Sequence, residues 1–213
     1  MSTTLLLVRH GENDWVKAKR LAGRTPGVHL NDNGRAQARR LAARLAHWPL
    51  TAVYSSPLER CAETATILAR PHGLTVQWRQ DLLEADIGEW QGKEIKELND
   101  SELWRLVQFA PSAARFPGGE TIRTMQTRIV DALHDIAAAH PDQCVAICSH
   151  SDPIKAALAQ FLGMHLDLFQ RIHISPASVS VVLFGKFGPR VLRINDNGQL
   201  DPPPREEEQK PDS

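Results

Sequence analysis

Short apolar runs, each followed by polar residues that begin a helix, dominate the hydrophobic pattern of this chain. The first run has none of the polar alternation of a half-exposed strand, which is typical of a parallel sheet covered on both faces. Strands are predicted over residues 3–8, 52–54, 74–78 and 145–148. Helices are predicted over residues 34–47, 57–69, 93–107, 121–140 and 153–162, the last closed by Gly163 as a left-handed cap.

Strands that alternate with helices predict an α/β fold, here a three-layer α/β/α sandwich with a mostly parallel central sheet. Residues 178–184 and 189–194 are rich in β-formers around a glycine-containing turn, so we expect a hairpin of antiparallel edge strands. Residues 1–200 are interpreted as one domain. The proline-rich, charged residues 201–213 are predicted to be a disordered tail.

Three strand-to-helix junctions carry basic or imidazole side chains. Arg9 and His10 follow the first strand, and His150 follows the run that ends at residue 149. Arg60 falls in the first turn of the helix after residues 52–54. Because open α/β sheets place their sites outside the carboxyl ends of the strands, these side chains are predicted to line one crevice. Their charge, with two helix amino termini, favours a phosphoryl group.

The same junctions contain residues that commonly start helices. Ser56 is predicted to cap one helix, with Pro57 opening it. Asp152 is predicted to cap another, with Pro153 in its first helical position. Both helices should therefore begin within a few residues of the predicted crevice.

Charge and composition favour a small substrate. The 25 basic side chains equal the 25 acidic ones, which gives no reason to expect a nucleic-acid or membrane partner. Four arginines on the predicted helix 34–47 are interpreted as its solvated face rather than a nucleic-acid patch: Arg35, Arg39, Arg40 and Arg44. The amino terminus has only four consecutive apolar residues and no basic prefix, which is too short an apolar run for a signal peptide. The protein is therefore expected to be cytoplasmic.

Three cysteines, Cys61, Cys144 and Cys148, do not make a disulfide framework and lack the paired spacing of a zinc site. They are predicted to be reduced and buried. The remaining seven histidines show no metal-ligand spacing either, and we interpret them as surface or packing residues. No metal and no cofactor are expected.

Four strings occur in a fixed order: Leu-Val-Arg-His-Gly-Glu from residue 7, Ser-Ser-Pro-Leu-Glu-Arg-Cys-Ala-Glu-Thr-Ala from residue 55, Leu-Glu-Ala-Asp-Ile-Gly-Glu-Trp from residue 83, and Ser-His at residues 149–150. Together they resemble the histidine phosphatase superfamily, the phosphoglycerate mutase-like group, over about residues 3–198. Residues 22–30 and 176–182 are more narrowly similar to members known as probable phosphomutases.

The resemblance implies a role for each matched residue. His10 is the expected nucleophile, which forms a phosphohistidine, and Glu84 is the expected acid and base. Arg9, Arg60 and a charged His150 are expected to bind the phosphoryl oxygens. The residues by themselves do not decide which of the two histidines attacks. Glu84 stands among other carboxylates, so only the motif selects it.

Three positions depart from the family pattern. Asn13 stands where relatives carry threonine or serine, and Val16 where they carry an asparagine that binds phosphate. Asn13 is the candidate to supply the missing donor. Ser151 replaces a glycine after His150; it either lines the pocket or caps the helix, and the cap is the favoured interpretation.

The predicted function is hydrolysis of a small phosphorylated metabolite through a phosphohistidine on His10. A phosphomutase is the first alternative, and a catalytically idle phosphate-binding protein is the second. The resemblance implies that glycolytic mutases carry a longer insertion than the 65 residues that separate Glu84 from His150 here, which favours hydrolysis. Residues 15–33 and 84–120 are expected to set substrate specificity. The sequence does not identify the substrate or the oligomeric state.

Overall fold

The computed structural model describes residues 2–198, which contain one six-stranded sheet of order β3-β2-β4-β1-β5-β6. The strands are β1 (Thr3–Arg9), β2 (Leu50–Ser55), β3 (Val76–Trp78), β4 (Cys144–Ser149), β5 (Val179–Gly185) and β6 (Gly188–Asp196). The α-helices are α1 (Asp14–Lys17), α2 (Asp32–Leu45), α3 (Glu59–Ala69), α4 (Glu102–Phe109), α5 (Ile122–Ala139) and α6 (Ser151–Phe161). Short 3₁₀ turns cover Arg70–His72, Gln80–Leu82, Gly88–Trp90, Ile95–Glu97, Pro111–Ala113 and Leu166–Arg171.

Helices cover both faces of the sheet, which confirms the predicted three-layer α/β/α sandwich. On one face Leu6 and Val8 of β1 share a buried cluster with residues of α2 and α3. On the other, Leu5 and Leu7 pack in a cluster with α5 and α6. All four of these side chains are at most 2% exposed. The unbroken apolar run of β1 thus reflects burial on both faces rather than on one.

The parallel part of the sheet brings three strand ends together. β4 lies between β1 and β2 and is parallel to both, with Arg9 opposite Ser149 and Ser55 opposite Cys148. The backbone N–H of His10 donates to the carbonyl of Ser149, at 3.1 Å from nitrogen to oxygen. The three junctions predicted to meet at one crevice therefore do so.

The loop that carries His10 packs directly against the start of α2. A Cβ added to Gly34 would lie 2.0 Å from the carbonyl oxygen of Glu12, and one added to Gly11 would lie 2.5 Å from that of Gly34. Only glycine permits this approach of two backbones. The Gly11 N–H also donates to Thr64 Oγ1 on α3, which fixes the loop from a second side.

Three predicted helix starts are wrong by two residues, and the first is that of α2, which begins at Asp32 rather than at residue 34. α3 begins at Glu59 rather than Pro57, and no side chain accepts a capping hydrogen bond there, so Ser56 is not its cap. α6 begins at Ser151 rather than Pro153, with His150 as its N-cap residue. α3 begins four residues after the end of β2 at Ser55, and α6 begins two residues after the end of β4 at Ser149. The predicted capping residues therefore do not mark the first residue of either helix.

Other differences concern the less regular segments. β5 is internal, because it pairs antiparallel with β1 as well as with β6, so only β6 is an edge strand of the hairpin. The predicted helix 93–107 is instead the turn at residues 95–97 followed by α4, which Ser101 caps. The four-residue α1 lies where no helix was expected. The predicted tail, residues 201–213, lies outside the described residues.

Solvent exposure agrees with the predictions made for the α2 arginines and for the cysteines. Arg39, Arg40 and Arg44 on α2 are exposed, as predicted for a solvated helix face, and Arg35 is half-buried. The three cysteines are unpaired and buried, as predicted. Among residues 2–198, no helix combines the length and apolar character needed to cross a membrane.

Candidate active site

A cavity of about 240 Å³ opens at the carboxyl ends of β1, β2 and β4. Six of the seven side chains predicted for the site line it: Arg9, His10, Asn13, Arg60, Glu84 and Ser151. Residues 16 and 19–23 form a second wall, and residues 85, 87, 95 and 152 complete it. Both segments that were expected to govern specificity thus contribute to the cavity.

His10 is fixed in one tautomer by its own loop. Its Nδ1 lies 2.7 Å from the carbonyl oxygen of Gly11, which can only accept, so Nδ1 carries the proton and Nε2 carries a free lone pair. Burial, and then the positive charges of Arg60 and Arg9, lower the pKa of His10 well below its usual range. The imidazole is therefore neutral at pH 7 and has the form required of a nucleophile.

His150 lies beside His10, with 5.2 Å between the ring centroids, but it is engaged differently. Its Nε2 lies 2.9 Å from Ser56 Oγ and 3.4 Å from Cys61 Sγ, and its Nδ1 lies 4.0 Å from a Glu84 oxygen. This asymmetry separates two histidines that were equivalent in the sequence.

The charge expected on His150 is not supplied by the protein itself. Burial is the main cause that lowers the pKa of His150 well below its usual range, and the charge of Arg60 lowers it further. With these groups alone the ring is neutral at pH 7. A dianionic phosphate beside it would raise its pKa again.

Two guanidinium groups line the cavity, and neither has a carboxylate partner in the part of the chain that the structure describes. Arg60 is 1% exposed and donates through Nη2 to the carbonyl of Gly23, while Arg9 donates through Nη1 to that of Ile174. The buried Nε and Nη1 of Arg60 and the buried Nε of Arg9 have no acceptor within the described residues. Because an unpaired buried charge is costly, this arrangement is that of a site completed by an anion.

Asn13 has one free donor at the same cavity. The side chain is fully buried, and its Oδ1 accepts from the Val16 N–H at 2.9 Å, which caps α1. That bond leaves the Nδ2 group, for which the described residues provide no acceptor. Asn13 thus caps α1 with its oxygen and keeps an N–H₂ group without an acceptor in residues 2–198. Val16 lines the same cavity, but its apolar side chain has no donor.

Ser151 lines the cavity and is the first residue of α6, so the favoured interpretation as a helix cap is wrong. Asp152, which was also predicted to cap, instead pairs with Lys155 one turn later, with 2.7 Å between Oδ1 and Nζ. The first two residues of α6, both polar, therefore line the cavity.

Glu84 has the strongly shifted pKa expected of an acid catalyst. Its side chain is only 17% exposed, and burial is the main cause that raises its pKa to about 7, with the charge of Asp152 adding to the effect. Neighbouring carboxylates differ: Asp81 pairs with Arg79, and Glu89 is exposed. The structure thus distinguishes Glu84 from the acids around it.

Three side chains from outside the segment hold the loop that carries Glu84. Arg128 of α5 donates through Nη1 to the carbonyls of Asp81 and Leu83, at 2.8 and 2.9 Å. Ser149 Oγ donates to the carbonyl of Leu82 at 2.8 Å. Glu120 accepts from Arg128 Nη2 at 2.7 Å and from the Asp86 N–H at 2.9 Å. The loop is therefore fixed from both sides of Glu84.

Arg128→Met should weaken catalysis that depends on Glu84, because methionine keeps most of the side-chain volume but removes every donor. We expect kcat/KM to fall about tenfold to 100-fold for alkyl phosphates, since small displacements of a catalytic group are costly. The loss should be smaller for p-nitrophenyl phosphate, whose leaving group needs less protonation. Arg123→Met, an exposed position on the same helix, is the control. Equal losses on both substrates would contradict the positioning role.

Sequence reasoning missed several of these residues. Arg128 lies within an amphipathic helix, and Glu120 directly precedes the predicted helix 121–140, so neither carried a separate signal. Cys61 lies within the second motif string, yet only the structure shows it against His150. Burial raises the pKa of the Cys61 thiol to about 12, so it stays protonated. In residues 2–198, no three His, Cys, Asp or Glu side chains cluster in a way that could hold a metal ion.

Comparison with known proteins agrees with the fold and the cavity. The profile of the histidine phosphatase superfamily (branch 1) matches residues 5–197, and the chain belongs to this family. Phosphoserine phosphatase 1 of Hydrogenobacter thermophilus is 31% identical over 194 residues, covering 90% of this chain and 91% of that protein. The probable phosphoglycerate mutase GpmB of Proteus mirabilis is 31% identical over 179 residues, or 83% of this chain and 82% of that one.

Among solved structures, Bacillus stearothermophilus YhfR superposes with a TM-score of 0.86 at 28% identity, covering 91% of this chain and 97% of that chain. Some relatives are longer. The chain spans 55% of mycobacterial proteins to which it is 34% identical over 203 residues. The family that the motif strings resembled is therefore confirmed, and with it the phosphoglycerate mutase-like architecture.

Proposed function

We propose that the chain is a phosphomonoesterase that hydrolyses small phosphorylated metabolites through a phosphohistidine on His10. The observation that carries the proposal is that Arg9 and Arg60 line one cavity and have buried N–H groups without an acceptor and no carboxylate partner within residues 2–198. Planar guanidinium groups match the oxygens of a phosphoryl group. The similarity to a phosphoserine phosphatase over 91% of its length supports the same class of reaction.

In the first step, His10 Nε2 attacks phosphorus in line and the bond from phosphorus to the ester oxygen breaks. Glu84 gives its proton to the leaving oxygen, so that the alcohol departs neutral. A pKa of about 7 keeps a substantial fraction of Glu84 protonated at neutral pH. Arg9 and Arg60 compensate the charge on the phosphoryl oxygens during the transfer.

In the second step, the ionised Glu84 takes a proton from water while the water oxygen attacks phosphorus. The bond from phosphorus to His10 Nε2 breaks, which returns the neutral imidazole, the protonated Glu84 and inorganic phosphate. Asn13 Nδ2 supplies the donor that Val16 cannot, and Ser151 adds a hydroxyl at the start of α6. His150 donates to the same oxygens when bound phosphate raises its pKa.

The competing reaction is transfer of the phosphoryl group to a second hydroxyl instead of water. The similarity to a probable phosphoglycerate mutase is the reason to test for it. The purified protein should be incubated with phosphoserine, 3-phosphoglycerate and p-nitrophenyl phosphate, and both free phosphate and isomerised product should be measured. We expect free phosphate in stoichiometric amounts with the released alcohol. Isomerised 3-phosphoglycerate without free phosphate would make the protein a mutase. No turnover of any ester above the His10→Ala background would make it a binding protein.

A further inference from the structure

A second cavity, of about 310 Å³, adjoins the one that contains His10. Four residues line both cavities: Leu21, Ile87, Ile95 and Asp152. Three of these four side chains are apolar, so the boundary between the two spaces offers hydrophobic contact rather than a polar barrier. Whatever is attached to a phosphoryl group beside His10 meets this boundary.

The far wall of the second cavity is aromatic. Trp90, Trp104 and Phe116 line it, with 5.4 Å between the ring centroids of Trp90 and Phe116 and 5.9 Å between those of the two tryptophans. Trp90 and Phe116 are almost fully buried, which holds their rings in place, whereas Trp104 is half-buried. Aromatic rings held in place can make edge-to-face or stacked contacts with an aromatic or other flat apolar group of a ligand.

The one ammonium group at this cavity is already paired within the described residues. Lys155 Nζ lies 2.6 Å from Gln170 Oε1 and 2.7 Å from Asp152 Oδ1, and it lies over the ring of Phe169. Its charge is therefore balanced by Asp152, and two of its three donors have acceptors. A carboxylate or a second phosphate on the substrate would find no free cation here, whereas an uncharged apolar group loses nothing by entering.

The segment that carries Glu84 contributes side chains to both cavities. Glu84 lies at the first cavity, where the ester oxygen of a substrate must receive its proton, and Ile87 lies three residues further along the same segment, on the shared boundary. A carbon chain that leaves the ester oxygen near Glu84 therefore passes Ile87 before it reaches the aromatic wall.

We infer that the second cavity binds the organic part of the substrate and that the enzyme prefers phosphate monoesters of alcohols bearing a bulky apolar or aromatic group. This inference rests on the proposed function, because it requires phosphate to bind beside His10. Phosphoserine, with two charged groups next to the ester, is then a poorer substrate than an apolar ester of the same size.

The test compares esters of primary alcohols, so that the chemistry of the leaving oxygen stays similar. We expect kcat/KM for 2-phenylethyl phosphate to exceed that for ethyl phosphate by about tenfold or more, since the phenyl ring leaves water for an apolar wall. It should also exceed kcat/KM for phosphoserine. A ratio near one between the phenylethyl and ethyl esters would overturn the inference.

Two variants locate the effect in the second cavity. Trp104→Ala removes part of the wall, and Gln108→Trp fills the space from its half-buried rim. Both should lower the phenylethyl-to-ethyl ratio several-fold, and this ratio does not depend on how much of each preparation is folded. Phe109→Ala, at a side chain 80% exposed on the same helix, is the control and should leave the ratio unchanged.

The possible results separate this inference from the proposed function. An unchanged ratio in both variants would place the preference elsewhere and overturn the inference while phosphate release continues. Release of phosphate from none of the esters above the His10→Ala background would instead refute the proposed function, and the inference with it.

Discussion

His10→Ala is expected to lower kcat/KM for every phosphate ester by at least about 10³-fold, because alanine cannot form the covalent intermediate that divides the displacement into two steps. The same change should abolish the phosphoenzyme. Brief incubation with substrate followed by a denaturing quench should leave acid-labile phosphate on the unaltered protein, and peptide mapping by mass spectrometry should place it at His10.

Two control variants make this result specific. His47→Ala changes an exposed histidine and should keep full activity. His150→Ala should slow the reaction yet still yield phosphate on His10, since Nδ1 of His10 is held by its own loop and not by His150. Phosphate found on His150 instead would reverse the roles assigned to the two rings.

Glu84→Gln is expected to reduce kcat/KM for alkyl phosphates by about 10²–10⁴-fold, the range typical of a lost general acid. The reduction should be much smaller for p-nitrophenyl phosphate, whose leaving group departs as a stable anion. Glu89→Gln, an exposed carboxylate in the same segment, is the matched control and should have little effect. Equal losses for the two kinds of ester would remove Glu84 from the role of acid.

The raised pKa of Glu84 also predicts how the reaction rate depends on pH. Because burial raises the pKa of Glu84 to about 7, its proton is present below that pH and is lost as the pH rises through it. For alkyl phosphates, kcat/KM should therefore fall above about pH 7 in the unaltered protein, and this decline should be absent in Glu84→Gln. A profile that stays flat from pH 7 to pH 9 would contradict protonation by Glu84.

Much of the fold could be predicted because its signals are local. The unbroken apolar run of β1 and the spacing of Ile122, Met125 and Ile129 in α5 each indicate an element and the side it buries. Helix boundaries were less predictable. Ser56 and Asp152 are both good capping residues, yet α3 begins after Ser56 and α6 begins before Asp152. A good capping residue favours a helix start nearby, but it does not fix which residue is the first.

The site could be predicted only in part. The ordered motif strings selected His10, Arg9, Arg60 and Glu84, which line one cavity. They said nothing of Arg128, which holds the segment of Glu84 through two backbone carbonyls 45 and 47 residues away in the chain. A hydrogen bond of that kind leaves no trace in residue spacing, because a carbonyl group is present at every residue.

By itself, the sequence determined the α/β architecture and placed a set of phosphate-binding groups at the ends of parallel strands, since hydrophobic period and residue type are properties of the chain. Only the tertiary structure decided between the two histidines. Burial and the positive charges of Arg60 and Arg9 lower the pKa of His10 and keep it neutral, and the Gly11 carbonyl fixes the tautomer with the lone pair on Nε2. Ser56 and Cys61 instead lie against the Nε2 of His150. Protonation and tautomer depend on which groups surround a ring in space, and the linear order of residues does not specify them.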